Sequence, residues 1–259
     1  YAMPKGLPMA ASVLTLIGGT IGSFRFAAND LLLGLGPVFT FVFGSFVLLG
    51  SAAILRFIHP PEIVSDEPVD KHQAQSPPPI SIPALGSIFV LGGSFAWGYR
   101  LLFDGVGKFL KLQLNSDDVQ LQMVIFGIAG AIAALPAGII AKKVGNRNAM
   151  LGGMGVAILL MLLLPSLGAN IIILAALAIS TSFVVNGTIP FALEMVPPSR
   201  GGLGIGMYFG GVGLAMSIFG SVFSQPQGIT PEFAAFMSAI AFVLALGSIV
   251  FSNFIQRQN

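Results

Sequence analysis

LPAGIIAKKVGNRNAML, residues 135–151, joins two long apolar runs and places Lys142, Lys143 and Arg147 within six positions of one another. Helical runs of about 20 apolar residues are the length that crosses a bilayer. A short turn between two such runs that is rich in Lys and Arg stays on the cytoplasmic side. The composition agrees with the turn. Of 259 residues, 55% are hydrophobic and only 8% charged, with a mean hydropathy of +0.90. A soluble domain carries about 25% charged residues, so this chain lacks the polar shell that water requires.

By length and hydropathy the sequence predicts eight spans, at 7–24, 31–57, 84–111, 119–141, 149–167, 169–195, 202–224 and 231–255. Helix is the expected conformation, because backbone polar groups in lipid must be satisfied within the segment. The ten-residue alternating segments of a membrane barrel are absent. Between the second and third runs, His59–Pro83 holds seven prolines and mixed charges, the composition of an extended polar linker. The expected organisation is therefore 1–58, a two-helix block; 59–83, a cytoplasmic linker; and 84–259, a six-helix block. If linker and basic turn share one face, that face receives Lys5, Arg56, Lys71, Lys142, Lys143, Arg147, Arg200 and Arg257, against Arg25, Arg100, Lys108 and Lys111 elsewhere. This bias sets both termini in the cytoplasm.

The basic turn resembles the short loop between the second and third helices of each half of a major facilitator transporter, Gly-x-x-x-Asp-Arg/Lys-x-Gly-Arg/Lys-Arg/Lys. Gly138, Lys143, Gly145 and Arg147 match it; Lys142 stands at the Asp position and Asn146 at a basic one. Asn186–Gly211, NGTIPFALEMVPPSRGGLGIGMYFGG, resembles the tenth helix, loop and eleventh helix of the superfamily, and is most similar to its sugar–cation symporter branches. The resemblance implies an all-α, polytopic membrane bundle corresponding to helices five to twelve, with the first four of twelve missing. The start at Tyr1 agrees with a chain read from partway in. It implies alternating access for a small polar solute, such as a sugar, coupled to a proton or cation gradient. The expected location is a bacterial plasma membrane or an internal energy-converting membrane, with the missing helices supplied upstream or by a partner chain. In the family the Asp of the turn caps and charge-pairs with a neighbouring helix. Lys142 cannot accept those hydrogen bonds, so any latch here uses other groups.

The strongest candidates for solute contact are Arg100 and Asp104 in AWGYRLLFDGVGK. Charges inside a span are costly and usually face the bundle interior or a polar cavity. Their spacing of four puts them on one helical face, able to pair, with Trp97 on that face and Tyr99 beside it. An aromatic next to a charge pair suits a sugar-like ring. The same residues also suit an interfacial anchoring belt, where Trp and Tyr concentrate. Asn186, with Ser180, Thr181, Ser182 and Thr188, either lines a solute path or bonds helices together. Pro190 removes one helical hydrogen bond near it. Glu194 and Arg200 suggest an ion pair at the inner gate, beside the turn residues Gly138, Lys142, Lys143, Gly145 and Arg147.

Small residues recur every four positions at Gly130, Ala134 and Gly138, at Gly202, Gly206 and Gly210, and at Gly18 and Gly22, and are expected to be packing seams. No catalytic constellation, metal site or cofactor is expected. His59 and His72 are the only histidines, cysteine is absent, and neither a zinc spacing nor a Gly-x-Ser-x-Gly elbow occurs. The scattered basic residues do not suggest nucleic acid. A second reading is a transporter-like scaffold that assembles a larger membrane complex, as one branch resembling this superfamily does for bacterial light-harvesting complexes.

Overall fold

The structure, a computed structural model, describes residues 6–25, 28, 34–57, 81–223 and 229–258. Along the chain run α1 (Leu7–Ser23), α2 (Pro37–Phe57), α3 (Ile82–Leu114), α4 (Gln120–Val144), α5 (Asn146–Leu167), α6 (Ile171–Glu194), a 3-10 turn (Pro198–Arg200), α7 (Gly201–Val222) and α8 (Pro231–Gln258). Among the described residues there is no strand. The six helices from α3 to α8 are long and apolar enough to cross a membrane, whereas α1 and α2 count as shorter apolar helices. The linker expected at 59–83 lies outside the described residues up to position 80, and α3 begins at Ile82, inside its last residues.

The turns follow from local chemistry. Gly145, between α4 and α5, has φ 92°, a conformation that a Cβ disfavours, so the basic turn needs glycine there. Asn170 caps α6, its Oδ1 accepting from the Ile172 and Ile173 amides at 3.1 and 3.0 Å, which satisfies donors that a helix start leaves open. Asp118 does the same for the Gln120 amide ahead of α4, at 3.2 Å.

α3 packs on α7 and α8, α4 on α1 and α6, and α5 on α6 and α8. Helix α2 shares none of these broad interfaces. The outward surfaces are apolar: Phe41 is 78% exposed and Ile171 82%. The interior holds large apolar side chains such as Leu91, Phe191 and Phe242 together with many alanines, the methionines Met150, Met154 and Met161, and Ser, Thr and Asn side chains. Apolar outside with small or hydroxylated residues between helices is the arrangement lipid selects, since burial of apolar surface does not drive helix association there. This is a multi-pass membrane bundle.

Two of the predicted seams behave differently. Along Gly130, Ala134 and Gly138, α4 meets α6 and α1: the carbonyls of Gly130 and Ala134 accept hydrogen bonds from α6. A Cβ on Gly138 would lie 2.6 Å from Ser12. On α7, however, Gly202 and Gly206 face open space and Gly210 has only ordinary contact with Phe89. The glycines that seat α7 are Gly204, against the Ala192 carbonyl, and Gly211, against the Phe89 carbonyl. With glycines on every face of α7, a spacing of four could not say which face packs. Gly18 and Gly22 also meet nothing within 4 Å; they border a cavity.

Candidate functional site

The predicted solute residues of α3 part company in the structure, because α3 shows its two sides to different surroundings. Tyr99 stacks on Phe95, with ring centres 5.4 Å apart, and meets Phe103 edge-on at 4.9 Å. Tyr99 and Phe103 are four residues apart and so share a face. That face borders a cavity of about 350 Å³ between α1, α3, α4 and α6. Its polar groups come from Thr15, Ser23 and Arg25, at and beyond the second half of α1, from Tyr99, and from Thr181 and Ser182 of α6. The Arg25 guanidinium lies over the Phe103 ring, 5.1 Å from its centre, within reach of a cation–π attraction. Most of the lining belongs to the half of the bundle remote from the basic turn, with Leu14 and Val185 near mid-depth.

Trp97 and Arg100 look the other way. Trp97 meets Phe219 and Phe223 edge-on at 5.4 and 6.1 Å, and Arg100 lies over Phe219 at 5.6 Å. The expected Arg100–Asp104 pair forms, with Nε to Oδ2 at 3.5 Å. The charges of Lys108 and Arg25 also act on Asp104. Lys108 Nζ donates to the Ile229 carbonyl, tying α3 to the start of α8. Asp104 thus stands between the cation of the cavity and those of the α7 side.

Asn186 is 1% exposed and does not line the cavity. Its Nδ2 donates to the Ala134 carbonyl at 2.6 Å, and one helical turn away the Ser182 hydroxyl donates to the Gly130 carbonyl. The two bonds clamp α6 to α4, the Ser182 bond in the cavity wall and the Asn186 bond one turn toward the basic turn. The Asn186 Oδ1 has no partner among the described residues. Pro190, four residues on, has no N–H to offer the Asn186 main-chain carbonyl, so this residue carries two acceptors without ordinary donors.

At the basic-turn end the helices are joined by side chains other than Lys142. Lys142 and Lys143 are exposed. Asn146, standing where the transporter motif has a base, is buried and donates from Nδ2 to the Gly187 carbonyl at 3.0 Å. Arg147 Nε lies 3.8 Å from Glu194 Oε2, its Nη2 3.1 Å from Met195 Sδ, and its guanidinium over Phe191. The expected partner of Glu194 was Arg200, which falls in the 3-10 turn after α6; the structure sets Arg147 of the neighbouring helix against Glu194. With Ser12 against Gly138, these contacts close this end of the bundle.

No protein-family model, curated protein or solved structure matches this chain. Its site is read from its own chemistry. Arg25, like Thr15 and Ser23, is a polar cavity residue that was not proposed from the sequence. A lone cation just past an apolar run was its only signal, and nothing local linked it to Tyr99, more than seventy positions away.

Proposed function

We propose that this chain forms part of a secondary transporter of the major facilitator type, carrying a small polar solute by alternating access. The observation that carries this reading is the cavity: α1 of the first block walls one side, and α3, α4 and α6 of the second block wall the other. A path between two blocks that rock about a central site is how such transporters work. Arg25 and Tyr99 supply a cation and an aromatic edge, Thr181 and Ser182 supply hydroxyls, and the volume suits a sugar-sized solute. Asp104, paired with Arg100 and next in sequence to Phe103 under the Arg25 guanidinium, is the acid best placed to sense a driving proton or cation. In this proposal α1 and α2 also span, giving eight crossings, and the basic turn and both termini face the cytoplasm of a bacterial plasma membrane or an internal energy-converting membrane. The approach of Ser12 on α1 to Gly138 on α4, which joins the two blocks, then forms part of the closed inner gate, and the Asn146–Gly187 and Arg147–Glu194 contacts brace the six-helix block beside it.

The absence of cysteine makes the test direct. A Ser182→Cys variant, reconstituted in vesicles, should react with a membrane-impermeant thiol reagent from the side opposite the basic turn. Substrate candidates that are taken up should slow that reaction. Labelling only from the basic-turn side, or a panel of sugars and small polar solutes with neither uptake nor protection, would sink the proposal. One feature favours a second reading, the assembly scaffold: α2 exposes Phe41, Phe46, Leu48 and Leu49 and, among the described residues, has no broad helix partner. Stable co-purification with a pigment–protein complex, without uptake, would support it.

A further inference from the structure

On the side of α3 away from the cavity, α3, α7 and α8 enclose an apolar groove of about 380 Å³. Its floor is set by small residues that bring the helices close: Gly93 against the Gly211 carbonyl, with Ala215 and Ala241. Trp97 and Leu244 stand on its walls near opposite ends. No charged side chain lines it. Arg100, one turn beyond Trp97, stands at the end remote from the basic turn with its side chain 46% exposed. Among the described residues its guanidinium makes a long ion pair with Asp104 and a ring contact with Phe219, and no hydrogen bond. A guanidinium carries five N–H donors in a fork that matches phosphate.

We propose that this groove holds one acyl chain of an anionic phospholipid whose phosphate is bound by Arg100. Charge and depth both select that occupant. Arg100 is 18 residues from Ile82, roughly 27 Å along the helix, which places its head near the far edge of a hydrocarbon layer of about 30 Å. There a lipid phosphate lies level with it while the chain descends past Trp97. Lys108, two turns on and bonded to the Ile229 carbonyl, adds positive charge, and Asp104, the opposing carboxylate, lies 3.5 Å from Arg100 Nε in a single long contact that leaves most of the guanidinium's N–H donors open. The inference is independent of what the cavity transports.

Trp97 is the only tryptophan of the chain, so its fluorescence reports this groove alone. The full chain would be reconstituted in phosphatidylcholine vesicles containing either phosphatidylglycerol or phosphatidylcholine brominated on the acyl chain, at matched mole fractions. The brominated phosphatidylglycerol should quench Trp97 at about fivefold lower mole fraction, the advantage that one cationic side chain near a lipid surface gives. Arg100→Gln should bring the two lipids together. Equal quenching by both head groups in the unaltered protein overturns the proposal, and so does a preference that survives Arg100→Gln. The first comparison needs no variant, so it decides the matter even if Arg100→Gln fails to fold.

Discussion

Helix α3 has two working sides built from similar residues, an aromatic and a basic group on each, yet their surroundings are opposite. Tyr99 and Phe103, with Arg25 brought from α1, border a cavity that also holds the hydroxyls of Thr181 and Ser182. Trp97 and Arg100 border a groove whose walls carry almost nothing polar. Residue type alone does not tell them apart. The difference arises from the neighbours: hydroxylated α6 on one side, glycine- and alanine-floored α7 and α8 on the other. An aromatic–cation pair in a membrane helix thus borders a polar cavity or an apolar groove according to which helices lie opposite.

The largest effect should come from forcing the two sides apart. A Cβ at Gly92 would collide with the Tyr208 carbonyl, and one at Gly211 with that of Phe89. Gly92→Val or Gly211→Val should therefore cost about 3 kcal/mol or more, read as a fall in thermal unfolding temperature in detergent. Gly202→Ala and Gly206→Ala meet open space and should stay within about 0.5 kcal/mol. Equal damage from both sets would mean that the α3–α7 seam is misassigned.

Transport should separate the faces next. Loss of one well-placed aromatic contact is worth roughly a tenfold drop, so Tyr99→Ala should lower kcat/KM for uptake by about that factor. Trp97 packs on Phe219 and Phe223 and lies outside the cavity lining, so Trp97→Ala should leave kcat/KM within about twofold. Reversal of that order would return the solute to the Trp97 side.

A smaller effect is expected at the α4–α6 clamp. Interhelical hydrogen bonds in membranes average below 1 kcal/mol, and Asn186→Ala also leaves a small void, so about 1 kcal/mol of destabilisation is expected, measured by reversible unfolding in mixed micelles. No change would show that the Ala134 bond adds nothing. Smallest is the Arg147–Glu194 pair. Glu194 is 39% exposed, so screening limits a double-alanine cycle to about 0.5 kcal/mol of coupling. Coupling of zero would leave Asn146 as the latch.

Much of the fold was legible because lipid imposes simple demands. Six apolar helices, the glycine of the basic turn and the i,i+4 pairing of Arg100 with Asp104 all follow from spans, φ preference and helical period. The period also separates Trp97 and Arg100 from Tyr99 and Phe103. It cannot say which side faces a cavity, because that depends on helices distant in sequence. The same reason hides Arg25, and gives Glu194 a partner on α5 where the nearest base in sequence is Arg200. The α7 seam was illegible for a different cause: glycine on every face carries no directional information.

At 33 residues, α3 is about 50 Å long, and a close approach to α7, at Gly92, lies ten residues from one end and 22 from the other. The helix is a lever with unequal arms. Any tilt about that fulcrum moves Leu114 roughly twice as far as Ile82, so modest motion near the polar linker becomes a large sweep at the opposite tip.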